Sequence, residues 1–132
     1  MLSDPCTYTS KGIEAMGYTT RFEGAFSIDR ALDESTRTIL DQLHERRHND
    51  YEWLGLPGIW CQWRVGEDGR TIEWDQGEKF YGYVPWLAYI IANILAPAGY
   101  SLSGTVAYQG ERVTDSGRIV VANNAISVIR HW

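Results

Sequence analysis

The chain has 132 residues, of which 44% are hydrophobic and 22% charged, and its formal net charge is −5. That size and balance suit one domain with its own core, and they exclude the disordered, collagen-like and disulfide-dependent classes. Mild acidity without a basic stripe argues against direct binding to nucleic acid, which relies on cations that displace phosphate counterions.

In chain order, residues 1–15 read as a polar N-terminal extension with neither the basic cluster nor the apolar run of an export signal, and residues 16–132 as a single α+β domain. From Gly17 to Ile28 apolar and polar residues alternate, with Tyr18, Phe22, Phe26 and Ile28 on one side, which predicts a strand with one buried face. Asp33 is a helix N-cap, and Ile39, Leu40 and Leu43 form a thin apolar stripe. Together with the basic pair Arg46 and Arg47 they predict a helix over 34–48 lying on the sheet surface.

An aromatic loop follows. The runs 59–65 and 70–74 then flank Gly66-Glu67-Asp68-Gly69, a turn composition, and predict a hairpin. Pro85 suits the first turn of a second helix, in which Leu87, Ile90, Ile91, Ile94 and Leu95 recur at helical spacing until Pro97 and Gly99 stop it. The longest apolar stretch, 86–98, is broken by Asn93 and Pro97 and falls short of a membrane span, so a cytoplasmic protein without membrane contact is expected.

A strand over 100–109 comes next. Two more, at 118–122 and 125–129, bracket Asn123-Asn124, residues that accept the positive φ of a tight hairpin turn. The order β-α-β-β-α-β-β-β predicts a two-layer α+β sandwich, a mostly antiparallel sheet with two helices on one face, related in plan to ferredoxin-like folds.

Three segments, Met16 to Gly24, Trp74 to Tyr81, and Gly117 to Val121 with Asn123, resemble small proteins carried by phages and prophages. The resemblance spans 16–128, and its members begin at the equivalent of Met16, which agrees with reading 1–15 as an extension. It brings no catalytic residues. It implies genomic company, because small phage proteins often disable a host protein, anti-CRISPR proteins among them, and by that analogy the partner is a host protein such as a nucleic-acid-handling complex.

Four constellations bear on chemistry. His44-Glu45-Arg46-Arg47-His48 matches the H-E-x-x-H pattern, in which imidazoles one helical turn apart hold zinc and the glutamate acts as base. Two cations beside the ligands and no spacing that selects a third ligand favour a solvated helix end, and no metal or cofactor is expected. Eight Trp and Tyr residues crowd 51–86, and by alternation Trp63 shares the face of Cys61 and Val65, whereas Trp60 points the other way with Gln62 and Arg64. Glu73, Asp75 and Glu78 are read as surface charges rather than an acid/base pair, and Cys61 as a buried thiol.

The expectation is a non-catalytic module that occludes a host protein. Tyr51, Trp53 and Trp60 would form the aromatic anchor, with Glu67, Asp68, Glu73 and Asp75 as an acidic rim. The alternatives are a small zinc hydrolase using His44, Glu45 and His48, and a protein that sequesters a small ligand in an aromatic pocket. A monomer is expected, although an exposed strand edge would readily build a homodimer.

Overall fold

The computed structural model describes residues 17–131. The expected extension at 1–15, with Met16 and Cys6, lies outside them. Six strands form one antiparallel sheet: β1 (Arg21–Ile28), β2 (Trp63–Val65), β3 (Thr71–Trp74), β4 (Leu102–Gln109), β5 (Ser116–Ala122) and β6 (Ala125–Arg130), in the spatial order β2-β3-β1-β4-β5-β6. The first four strands follow the split-βαβ order: β1 lies between β3 and β4, and each helical connection crosses over one strand. β5 and β6 extend that plan as a meander from β4.

Three α-helices are found among the described residues: α1 (Glu34–Glu45), α2 (Tyr51–Leu54) and α3 (Tyr83–Ile90). α3 runs directly into a π-helical segment, Ile91–Leu95, marked by the Ala96 N–H bonding to the Ile91 carbonyl at 2.8 Å. α1 and α3 pack on β2, and α1 also packs on the π segment. The result is the two-layer α+β sandwich expected from the pattern. None of the helices among the described residues is long and apolar enough to cross a membrane.

The side-chain period of two places the core. Phe22, Phe26 and Ile28 of β1, Leu102, Val106 and Tyr108 of β4, and Ile119 and Val121 of β5 are buried under the helices. Trp86, Leu87, Ile90 and Leu95 close that layer from above. Phe22 is the hub, with Tyr83, Trp74 and Trp63 packed edge-on at centroid distances of 4.9, 5.2 and 5.5 Å, within the range such rings prefer. The Trp63 indole N–H donates to the Tyr83 carbonyl at 2.8 Å, which satisfies the one polar atom of a buried ring. The sheet's other face carries Arg21, Glu23, Ser27, Thr105 and Arg118 and stays open to water.

Three local expectations are corrected. α1 stops at Glu45 rather than reaching 48, because Arg46 turns to extended geometry while its N–H still closes the last turn on the Gln42 carbonyl at 3.1 Å. The segment read as an aromatic loop contains α2, which Gly55 ends in the left-handed conformation, φ 71°. The first hairpin strand is also shorter than 59–65: ladder pairing holds only from Trp63 to Val65.

Candidate functional site

At one end of the sheet the last turn of α1, the approach to β2 and the loop after β3 converge. Gln62 is the pin. Its buried side chain donates to the Glu78 carbonyl at 2.7 Å and accepts from the Trp74 indole N–H at 3.2 Å, while its own carbonyl accepts the Asp75 N–H at 3.0 Å. The loop so held contains two non-glycine residues in left-handed geometry, Gln76 (φ 68°) and Lys79 (φ 59°), an unfavourable backbone that the surrounding contacts impose.

Asp75 is fixed further by the Gly77 N–H, which donates to Oδ1 at 2.7 Å, and its Oδ2 meets His44 Nε2 at 2.8 Å. Around this pair His44, Glu45, Trp60, Cys61, Asp75 and Glu78 line a hollow of about 440 Å³. Trp60 and Glu78 also wall a second hollow of about 460 Å³, completed by Tyr51, Ile59, Lys79 and Tyr81. Both open on the surface.

Several large apolar side chains of the stretch 53–81 are exposed. Trp53 is 91% exposed, Leu54 69%, Tyr81 56% and Trp60 48%. Trp60 therefore points outward as alternation predicts, and Cys61, Trp63 and Val65 are buried on the other side. Burial pushes the Cys61 thiol up to about 12, which leaves it protonated and inert as a nucleophile at neutral pH.

The H-E-x-x-H residues do not share a face. His44 lies on α1 and engages Asp75, whereas His48 lies past the helix end, 7% exposed, with its ring 5.4 Å from Trp86 and Nε2 at 2.9 Å from the Leu43 carbonyl. The His48 N–H donates to the Ile59 carbonyl at 2.8 Å, so its position is fixed from the backbone as well. Among the described residues no group of three or more His, Cys, Asp or Glu side chains is placed to hold a metal.

The anticipated anchor and rim are brought together only in part. Tyr51, Trp60 and Asp75 line the two joined hollows. Trp53, two residues beyond Tyr51 on α2, leaves the opposite side of that single turn. Glu67 and Asp68 lie in the turn at the far end of the β2–β3 hairpin, where the Arg37 guanidinium donates to the Gly66 and Glu67 carbonyls, each at 3.3 Å. Glu73 faces the open side of the sheet and pairs with Arg64 at 3.2 Å.

The carboxylates that do rim the aromatic hollows are Glu45, Asp75 and Glu78. Sequence reasoning did not place Glu45, Glu78, Tyr81, Leu54 or Ile59 in the anchor or its rim. Membership of the aromatic-rich stretch was a signal for Tyr81, whereas Leu54 and Ile59 carried none. No family model, curated protein or solved structure matches the chain.

Proposed function

We propose that the chain is a non-catalytic protein-binding module that acts by steric occlusion, and that its contact surface is the pair of hollows walled by Trp60 together with the projecting Trp53. The observation that carries this reading is that Trp60 and Tyr81, both exposed, wall one hollow with Tyr51, and that Trp53, the most exposed ring, projects into water from α2, the helix that bears Tyr51. A single exposed apolar residue is ordinary, but grouped rings of this size mark surfaces that are covered in use. Trp and Tyr supply most of the affinity at such contacts because they bury much area at little entropic cost.

Glu45, Asp75 and Glu78 around the rings favour a partner whose surface is basic. With the phage-protein resemblance, that points to a host protein, one that ordinarily holds nucleic acid being the natural class. The one thiol at the site, Cys61, is buried and takes no part in such a contact.

The test is capture of a partner from bacterial lysate on the immobilised full chain, identification of that protein, and titration of the purified pair. Trp53→Ala and Trp60→Ala are each expected to weaken binding by at least tenfold, corresponding to roughly 1.4 kcal/mol or more. Glu73→Ala, on the far face, is expected to leave it unchanged. Unaltered affinity in both tryptophan variants would move the contact surface elsewhere.

A further inference from the structure

β6 forms the edge of the sheet farthest from the aromatic hollows, with β5 on one side only. Its backbone alternates. The His131 N–H bonds to the Ser116 carbonyl, and the β5–β6 register carries that pairing inward through Ile129 with Arg118 and Ser127 with Val120 to Ala125 with Ala122. Ile126, Val128 and Arg130 consequently direct their N–H and C=O groups outward, and among the described residues no backbone partner meets them.

Natural edge strands are usually blunted by charge, proline or a bulge. Here the strand runs unbroken from Ala125 to Arg130, with no proline and no charge before Arg130, and Val128 and Ile129 are exposed on opposite faces. The helical layer stops short of this strip, since α1 and α3 pack at the β2 end of the sheet.

We propose that β6 is a self-pairing edge: two copies of the chain join β6 to β6 antiparallel about a two-fold axis at Val128, giving one continuous sheet of both molecules. Outward groups on even-numbered residues require even residues to face even residues, and of the registers that satisfy this the one with its axis at Val128 uses all three outward residues of the strand, setting Val128 opposite Val128 and Ile126 opposite Arg130 of the other copy. Those three residue pairs each exchange two hydrogen bonds.

No like charges meet directly, because each Arg130 faces an isoleucine. On the open face Ser127 lies opposite Ile129, so the exposed side chains of both faces are covered at once. The chain carries a net charge of −5, yet no Asp or Glu follows Asp115, and the contact therefore uses the stretch with least acidic repulsion. The dimer leaves both aromatic surfaces free at its two ends and does not depend on the binding function proposed above.

The experiment is sedimentation equilibrium of the full chain across a concentration series. The mass is expected to rise from 15.0 kDa towards twice that value by about 1 mM, within reach of so small an interface. Val128→Pro removes an outward N–H and no β5 bond, so it is expected to stay folded by circular dichroism and remain monomeric at every concentration. Val128→Lys places a cation on the axis with the same expected result, and it decides the matter if the proline variant does not fold. Trp53→Ala is expected to dimerise like the parent. A parent that stays at 15.0 kDa throughout overturns the proposal, as does a dimer that persists in a folded Val128 variant or is lost in Trp53→Ala.

Discussion

Gly24 and Gly104 lie in neighbouring strands with φ of 107° and 143°, and a Cβ on Gly24 would stand 2.8 Å from the Thr105 carbonyl oxygen. The β1–β4 register runs unbroken from Arg21 opposite Gln109 to Ile28 opposite Leu102, so no residue is inserted. Of the two roles open to a strand glycine, close packing and a bulge, these serve the first. Gly24→Ala is expected to cost about 2 kcal/mol, from strained φ and the carbonyl contact together, read as a lower urea midpoint at unchanged slope. Residue types and alternation made much at this scale legible: the outward Trp60, the buried Cys61, and Asn123 and Asn124 with φ of 46° and 71°. Gln62 was not legible. Alternation sends it outward with Trp60, but its amide is recruited by Trp74 and Glu78, partners that the local sequence does not announce.

The elements followed from periodicity where it was long enough to read. α1 has its N-cap where expected, Asp33 Oδ1 accepting the Thr36 N–H at 2.7 Å, and that bond is the main influence holding the Asp33 carboxyl below its ordinary value. Its C-terminus moved because His48 packs on Trp86 and bonds to Ile59, a tertiary contact that outweighs the local preference for helix. α2, a single turn, offers no period to detect. The acidic rim was misgrouped for a related reason: Asp68 and Asp75 are near in sequence, yet β3 runs between them and sends Glu73 to the opposite face. α3 and its π segment form the principal cover of the core. Leu95→Ala, at a fully buried site, is expected to cost 2–5 kcal/mol in chemical denaturation, and the half-buried Ile94→Ala clearly less, since the cavity left behind sets the penalty.

For the whole molecule, one-sided burial sets the response to base. Burial raises both the Cys61 thiol and the Tyr83 hydroxyl to about 12, from ordinary values of 9.0 and 10.0. Both are neutral when protonated, so the unfolded chain gives up these protons more readily than the folded one. The stability they contribute is full below pH 9.0 and is lost as pH rises through the interval up to about 12. Urea midpoints are accordingly expected to fall progressively above pH 9.0, and a flat profile to pH 12 would show that neither group is shielded as the fold requires. The layer architecture was readable from element order, and hairpin links named the neighbours β2–β3 and β5–β6. The place of β1 was not, because it depends on pairing between segments distant along the chain.

That placement governs how the protein is made. β1 leaves the ribosome before the other five described strands, and Arg21 meets its β4 partner only at Gln109, Ile28 only at Leu102. Both edges of the central strand stay unfilled until β3 and then β4 have emerged, so the core around Phe22 and Phe26 closes only once β4 is available. Loop closure over such separations slows folding and leaves a nascent chain whose apolar strand stands open in the meantime, the interval in which a chaperone would be of most use.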